Sequence, residues 1–266
     1  MIEWLFGKEK TVGSSGSKND FISLASHELR SPLSIIKWYT EILLDEDAGA
    51  LTEDQRKYLT VIEASNQRAI DLVRSLLNVS RLDLGTFSVS PVPSDLPAMV
   101  SEVVVTLSEK ASQKNVTIVV HKEENVPTIL VDTHVCQLVI KQLILNAVTF
   151  SKSGGTVTVE TSLKKANEVV GEKTLQTESI IISVKDNGIG IPEKDYPTVF
   201  SKMERGSNVQ DSDTTGPGLG LYISKTIMTI VGGSIWFTSQ EGEGSTFYLA
   251  FPTSGMKEKK GRTVLE

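Results

Sequence analysis

One histidine stands out because its neighbours in the sequence place it on a polar surface. Helical spacing through His27 gathers polar side chains on one face and apolar side chains on the other, so we expect the imidazole to face solvent. An acid, Glu28, follows directly, and Pro32 is expected to bend the helix. A solvent-facing imidazole can be a nucleophile or an ordinary surface side chain. The histidine alone does not decide between these interpretations.

Two glycine-rich stretches in the second half of the chain predict a ligand site. Asp186 follows an apolar strand and precedes Gly188 and Gly190, which would let the main chain approach a ligand while the carboxylate accepts from an amino group. The same pattern can also be a simple turn. The second stretch, residues 216–221, opens a helix whose N-terminal N–H groups could bind phosphate. It is neither a Walker loop nor a dinucleotide fingerprint, because no Gly-Lys-Ser/Thr follows and no strand leads straight into it.

A third candidate lies in an apolar helix predicted over residues 135–150. Gln142, Asn146 and Thr149 share one face of this helix. The amide oxygen of Asn146 is a ligand suited to Mg²⁺, which takes few protein oxygens when phosphates supply others. The alternative is a buried amide that is hydrogen-bonded to the backbone.

The first half of the chain predicts a helical hairpin. Its first helix is expected to begin near Asn19 or Asp20 and to run to about Leu44. After a polar turn at residues 45–51, Thr52 is expected to open the second helix in a capping box.

The apolar surface of this hairpin predicts self-association. Each helix has apolar residues on more than one side, and the second carries them at steps of three and four, with Asn66 on the seam. Two copies would cover that surface as a four-helix bundle, so we predict a homodimer through residues 18–84, with Asn66 fixing the register. Packing of the hairpin against the C-terminal domain is the alternative.

The second half alternates helices with short strands. Helices are predicted at 96–114, 135–150 and 219–231. Strands are predicted at 116–120, 129–131, 156–161, 180–184, 234–238 and 246–251. The segments between them include an edge strand or linker at 87–93, a polar loop at 164–178 and a lid at 201–215. Because strands outnumber helices and several form hairpins, we expect an α+β sandwich with helices on one face of a mixed sheet. The predicted divisions are 1–17, an N-terminal segment with a flexible linker; 18–84; a linker at 85–95; 96–254; and a disordered tail at 255–266.

Composition narrows the class of protein. The chain has 266 residues, of which 39% are hydrophobic and 23% charged, which is ordinary for a soluble protein of two domains. A net charge of −6 gives no basic face for nucleic acid. The single cysteine, Cys136, fits a reducing compartment and a place in the core. With no apolar run long enough to span a bilayer, we expect a cytoplasmic protein without a membrane span.

The motifs occur in an order that is typical of one family. In sequence they are the His27 segment Ser-His-Glu-Leu-Arg-Ser-Pro-Leu, Asn146-Ala147 with Phe150-Ser151, residues 186–192, Phe200 and residues 216–221. Over about residues 18–253 this order resembles the core of a two-component sensor histidine kinase. The C-terminal portion is similar to the ATP-binding fold shared with Hsp90, type II topoisomerases and MutL, and the histidine-bearing hairpin separates the kinases from those relatives.

The resemblance implies an ATP-dependent protein histidine autokinase that forms a dimeric four-helix bundle next to an ATP-binding α/β sandwich. His27 would be the phosphoacceptor, and Glu28 would orient its ring or take its proton. Asn146 would hold Mg²⁺. The phosphoryl group would pass to an aspartate on a response-regulator receiver domain, and hydrolysis of that phosphoaspartate is a further implied activity.

The resemblance also assigns the nucleotide contacts. Asp186 would accept from the adenine amino group, while Gly188 and Gly190 would shape the base pocket. Arg205, in the lid, would steady the γ-phosphate. The residues that would return the lid over the phosphates are Gly216, Gly218, Leu219 and Gly220.

Some positions depart from the family pattern. Gln142 stands where Asn is common, Thr149 where a basic residue is common, Met203 where an aromatic is frequent and Ser31 where Thr or Asn is usual. We interpret Met203 as a packing residue. The departures in the metal and phosphate helix motivate an alternative, a signalling scaffold that binds a receiver domain and whose nucleotide domain binds ATP weakly or not at all. A third hypothesis is a conformational ATPase without phosphotransfer, which the polar surroundings of His27 argue against.

Overall fold

The computed structural model describes residues 16–45, 49–209, 217–261 and 263–265, with side chains from residue 28 onward. The chain divides into two compact units, residues 1–84 and 85–266. None of the helices in the described ranges is both long enough and apolar enough to cross a bilayer.

The first unit consists of two helices, α1 (Gly16–Leu44) and α2 (Glu53–Asp83). The Thr52 side chain accepts from the Gln55 backbone N–H, and the Gln55 side chain accepts from the Thr52 backbone N–H, which confirms the capping box. The predicted start of α1 near Asn19 or Asp20 is wrong, because both residues lie inside the helix. Such residues cost less than about 1 kcal/mol in a helix interior, so a capping signal alone does not fix a helix start.

Asn66 joins the two helices of the hairpin. It is buried, and its Nδ2 donates to the Leu33 carbonyl oxygen of α1 over 2.9 Å. The contact follows Pro32, which lies within α1 without interrupting it. Asn66 therefore fixes the register of α2 against α1 within one chain, whereas the sequence suggested a role between two chains.

The second unit is built on a mixed five-stranded sheet in the order β2-β4-β7-β9-β8, in which only the β2–β4 pair is parallel. Its helices are α3 (Leu96–Gln113), α4 (Thr133–Phe150) and α5 (Gly220–Ile230). Its strands are β1 (Val92–Ser94), β2 (Thr117–Lys122), β3 (Ile129–Val131), β4 (Thr156–Lys164), β5 (Val169–Val170), β6 (Lys173–Thr174), β7 (Ser179–Asp186), β8 (Ser234–Gln240) and β9 (Gly244–Pro252). The predicted mixed sheet is confirmed.

The three helices of this unit cover one face of the sheet. Asp132 caps α4 by accepting from the Val135 N–H over 3.0 Å, and the next turns bury apolar side chains against β4 and β7. Cys136 is among these buried side chains, and burial raises the pKa of its thiol, as expected for a core cysteine. The predicted layer of helices on one face is therefore present.

A small hairpin partly covers the opposite face. Strands β5 and β6 pair within the predicted polar loop 164–178, and the Trp236 indole N–H donates to the Val170 carbonyl oxygen over 3.1 Å. Leu175 and Ile181 are buried beneath it, and the Trp236 and Tyr248 rings stack beside them. The loop prediction was incomplete, because a few apolar residues among charged neighbours suffice to bury a short hairpin against a sheet.

The segment predicted as a linker at 85–95 belongs to the second unit. Phe87 is fully buried, and Val89 exchanges two backbone hydrogen bonds with Lys259 over 2.9 and 3.0 Å. The closely spaced Pro91 and Pro93 favoured the prediction of a linker. The apolar side chains that precede them are nevertheless buried in the core.

The predicted disorder of the tail 255–266 is wrong for its described residues. Met256 and Leu265 are buried, the Met256 N–H donates to the Leu130 carbonyl oxygen over 2.7 Å, and His134 Nε2 lies 2.6 Å from the Leu265 carbonyl oxygen. The lysine-rich composition concealed these apolar side chains, whose burial is enough to order the segment.

Candidate functional site

Asp186 ends strand β7 with its carboxylate held in one orientation. The side chain is 6% exposed, and Oδ1 accepts from the Gly188 N–H over 2.9 Å and from the Ser245 N–H over 3.2 Å. Burial raises the pKa of Asp186, and the two hydrogen bonds oppose that shift. Neither hydrogen bond involves Oδ2, which leaves that oxygen to accept from a ligand.

The glycines after Asp186 are required by the protein's own backbone. A Cβ on Gly188 would lie 2.2 Å from the Phe150 carbonyl oxygen at the end of α4, and a Cβ on Gly190 would lie 2.0 Å from the Gln240 carbonyl oxygen at the end of β8. Gly190 also has a φ of +63°. These glycines therefore shape the site by pinning the turn between α4 and β8, and close approach to a ligand is not needed to explain them.

Residues early in the predicted lid are attached to this turn. The Asn208 side chain donates to the Gly190 carbonyl oxygen over 3.1 Å. Asp195 Oδ2 accepts from the Ser207 N–H over 2.7 Å and from its hydroxyl over 2.8 Å, and these bonds lower the pKa of Asp195. The sequence analysis did not identify these three residues. Their polar side chains predict turns, but the sequence does not show which turns contact each other.

Aromatic rings pack together at the segment that leads into the lid. The ring of Phe200, part of the predicted motif set, lies 5.8 Å from that of Phe237 and 6.5 Å from that of Phe247. Tyr196 packs edge-on against Phe237 at 5.1 Å. The segment that leads into the lid is therefore anchored by edge-to-face contacts of the kind that aromatic pairs prefer.

Asn146 and Gln142 are joined on the face of α4 that meets α5. Gln142 Nε2 donates to Asn146 Oδ1 over 2.9 Å, and Asn146 is half-buried. A Cβ on Gly220, the first residue of α5, would lie 2.2 Å from Gln142 Nε2. The predicted alternative for Asn146, a buried amide bonded to the backbone, is wrong, because its partner is a side chain.

A lysine approaches the end of α4, where the family pattern has a basic residue and this chain has Thr149. The Lys114 ammonium donates to the Thr149 carbonyl oxygen. A cation at a helix C-terminus interacts favourably with the helix dipole. The departure at Thr149 thus leaves a cation near this helix end, supplied from the end of α3.

The two ends of the lid stretch meet before α5. The Met203 N–H donates to the Gly218 carbonyl oxygen over 3.1 Å, and a Cβ on Gly218 would lie 2.7 Å from the Glu204 carbonyl oxygen. Leu219 is buried directly before α5, and the Arg205 side chain is exposed. The interpretation of Met203 as a packing residue is wrong, because its side chain is 65% exposed. Gly216 lies outside the described residues.

The predicted site residues fall into two groups. Asn146, Asp186, Gly188 and Gly190 come together in the second unit, with residues 218–220 at the start of α5. His27 lies within α1 of the first unit, its side chain outside the described part, and Glu28 is exposed on the same helix.

The oxygen ligand that the second unit offers, Asn146 Oδ1, fits Mg²⁺ that is bound to the phosphates of a ligand. Asn146 Oδ1 accepts one hydrogen bond and keeps a second lone pair for a cation. Among the described residues, no group of three or more His, Cys, Asp or Glu side chains is arranged to hold a metal. An amide oxygen with phosphate oxygens suits Mg²⁺, which seldom sits in an all-protein cage.

Two protein-family models match the chain. Residues 17–85 match the His Kinase A (phospho-acceptor) domain, and residues 131–255 match the histidine kinase-, DNA gyrase B-, and HSP90-like ATPase. His27 and Glu28 lie in the first match. The other predicted site residues lie in the second.

Curated relatives match over almost the whole chain. The signal transduction histidine-protein kinase BarA of Escherichia coli strain K12 is 28% identical over 249 residues, which is 93% of this chain and 26% of BarA. The circadian input-output histidine kinase CikA of Synechococcus elongatus is 28% identical over 246 residues, which is 92% of this chain and 31% of CikA. The chain therefore spans about a quarter to a third of the length of these relatives.

Solved structures share the fold. Full-length ShkA in complex with AMPPNP superposes with a TM-score of 0.69 at 24% identity, over 92% of this chain and 48% of ShkA. The Acinetobacter baumannii histidine kinase AdeS superposes with a TM-score of 0.56 at 20% identity, over 86% of this chain and 98% of AdeS. At these identities the likeness concerns architecture.

Proposed function

Because this chain belongs to the two-component sensor histidine kinases, we propose that it is an ATP-dependent autokinase that phosphorylates its own His27. One observation carries the proposal: a phospho-acceptor domain that contains His27 and an ATPase domain with an oriented, buried Asp186 lie on the same chain. ATP is then the substrate, and the histidine is both acceptor and part of the product.

Asp186 is proposed to select the base. Its Oδ2 would accept from the exocyclic amino group of adenine while Oδ1 stays fixed by the Gly188 and Ser245 N–H groups. The fixed orientation means that little side-chain freedom is lost when the base binds.

The start of α5 and the facing side of α4 are proposed to hold the phosphates. The first N–H groups of α5 lack partners within the helix and can bind phosphate oxygens, and Arg205 would steady the γ-phosphate. Asn146 would hold Mg²⁺, which when bound offsets the negative charge of the phosphates. The structure of ShkA with AMPPNP, an analogue of ATP, is consistent with nucleotide binding by this fold.

The chemical step is proposed to be direct transfer. A ring nitrogen of His27 forms a P–N bond to the γ-phosphorus while the bond from that phosphorus to the bridging oxygen of ADP breaks. ADP leaves, and Glu28 orients the ring or accepts its proton. The product is a phosphoramidate at His27.

The remaining steps are proposed from the family. The phosphoryl group would pass from His27 to an aspartate of a response-regulator receiver domain, and the chain would also act as a phosphatase on that phosphoaspartate. The working unit would be a homodimer through residues 18–84.

Labelling with γ-³²P ATP and Mg²⁺ tests the proposal. The full chain should incorporate label that is lost in acid and kept in base, as expected for a phosphohistidine, and His27→Gln should incorporate none. The matched control is His121→Gln, because His121 is an exposed residue on β2, distant in sequence from every site residue. Nucleotide binding without label in the wild-type chain would contradict the autokinase. Absence of label with binding of a receiver domain intact would favour the scaffold that Gln142 and Thr149 motivate.

A further inference from the structure

The side chain of Gln142 lies between two groups that nucleotide binding would use. Its Nε2 donates to Asn146 Oδ1 over 2.9 Å. A Cβ on Gly220 would lie 2.2 Å from both Cδ and Nε2 of Gln142 and 2.5 Å from Oε1. All heavy atoms of the carboxamide are thus close to one point, so the group lies flat on the backbone at the start of α5.

This packing restricts how the carboxamide can turn. Rotation about its last bond would push an oxygen or nitrogen into the α5 backbone, which approaches closely only because residue 220 is glycine. Because Gln142 Nε2 donates, the Asn146 side chain must turn its oxygen toward Gln142, since Oδ1 is the only acceptor of that side chain. The start of α5 therefore fixes the plane of the Gln142 carboxamide, and the hydrogen bond from its Nε2 orients Asn146.

We infer that Gln142 is a positioning residue that presents the Asn146 carbonyl oxygen to the divalent cation carried by the nucleotide. The inference rests on the proposed function, because the cation enters with ATP. Hydrogen bonds from neighbouring side chains commonly fix the orientation of metal-ligating groups, and their loss costs about 10- to 100-fold in metal affinity. Asn146 Oδ1 retains a second lone pair for this purpose.

The residue type explains why this chain can form the contact. The two residues are four apart on α4, a spacing at which glutamine and asparagine side chains hydrogen-bond along a helix. Glutamine is one methylene longer than the asparagine that is common at this position in the family, and the added length carries its amide over Gly220. The four-residue spacing and the length of glutamine together place its amide both against Asn146 and over Gly220.

The test measures nucleotide affinity with and without the cation. AMPPNP binding to the full chain is measured by calorimetry in Mg²⁺ and in EDTA, for the wild type, Gln142→Leu and Gln142→Met. Both variants should lower the gain in affinity that Mg²⁺ provides by about tenfold, while affinity in EDTA changes little. Gln137→Leu is the matched control, because Gln137 lies on the same helix but donates to Glu102, and it should keep the wild-type gain.

The two variants separate orientation from folding. Gln142→Met keeps the length of the side chain and removes the donor without adding charge, so a folded Met variant with a reduced Mg²⁺ gain supports the inference. A wild-type or larger Mg²⁺ gain in either variant overturns it, even while the wild type binds nucleotide normally. If the wild type binds no AMPPNP under either condition, the proposed function fails together with this inference.

Discussion

The orientation of Asp186 has a consequence for which purine the site would accept. Its Oδ1 is engaged by the Gly188 and Ser245 N–H groups, so recognition falls to Oδ2. Adenine presents an amino group at its six-position, whereas guanine presents a carbonyl oxygen there. A carboxylate oxygen opposite that carbonyl would place two acceptors together, so this site should favour adenine.

We predict that Asp186→Asn weakens ADP binding by about 10- to 100-fold, because it loses a hydrogen bond to a charged group worth about 1.5–3 kcal/mol. Asparagine keeps an oxygen for the two backbone N–H groups but turns an NH₂ toward the adenine amino group. Calorimetric titration with ADP measures the change. Glu160→Gln, an exposed carboxylate on β4, is the control and should bind like the wild type.

The pH dependence of binding follows from the same carboxyl group. Burial raises the pKa of Asp186, so this side chain takes up a proton at a higher pH than an exposed aspartate does. Protonation turns the acceptor into a donor, so wild-type ADP affinity should fall as the pH decreases through that raised pKa. The same series with Asp186→Asn should lack this fall, and an equal pH dependence in both proteins would contradict the assignment.

At the scale of elements, the tail of the chain acts as part of the second unit. Within the described part of the tail, the side chains of Met256 and Leu265 are buried. Its backbone also forms hydrogen bonds with the backbone of residues 86–89. Because two apolar side chains of the tail are removed from water, the tail contributes to the stability of the second unit.

Two neighbouring substitutions measure that contribution. Leu265→Ala should lower the free energy of unfolding by about 2–5 kcal/mol, as for a buried leucine, while Val264→Ala should change it by less than about 0.5 kcal/mol. The reason is that Leu265 is 2% exposed and Val264 is 60% exposed. Urea denaturation of the full chain gives both values, and equal effects of the two variants would show that the tail is not packed as described.

The elements also show where sequence reasoning succeeded. The helices and the longer strands of the second unit were predicted in their chain order, because apolar period and capping residues, such as Asp132 before α4, are local signals. The tail, the β5–β6 hairpin and the Asn208 contact with Gly190 were missed, because each depends on which distant segment covers an apolar or polar group. Gln142 was placed on the same helix face as Asn146 and noted as a departure, but its contact with Gly220 was missed, since that contact requires two helices to meet.

At the scale of the whole molecule, the first unit exposes more apolar surface than a stable hairpin would leave uncovered. The large apolar side chains exposed on it are Leu29, Ile35, Ile36, Trp38, Tyr39, Tyr58, Val61, Ile62, Leu72, Leu76 and Leu84. Both helices contribute to this surface, which supports the proposed four-helix bundle of two chains.

We predict that the full chain and residues 18–84 alone both sediment as dimers, because only a second copy of the hairpin would cover this surface on both helices. Analytical ultracentrifugation over a range of concentrations measures the state. Ile62→Glu should shift the equilibrium toward monomer, while Lys57→Gln, at an exposed polar position on the same helix, should not. A stable wild-type monomer would rule out the bundle.

Backbone hydrogen bonds between residues 86–89 and 259–263 bring the start and the end of the second unit together. The Ser88 N–H donates to the Thr263 carbonyl oxygen over 2.8 Å, and the Thr263 N–H donates to the Thr86 carbonyl oxygen over 3.2 Å, so entry and exit lie side by side. Adjacent ends are the condition under which a domain tolerates circular permutation or insertion into a host loop. We therefore expect the second unit to tolerate insertion into a loop of another protein, because its two junctions would lie next to each other.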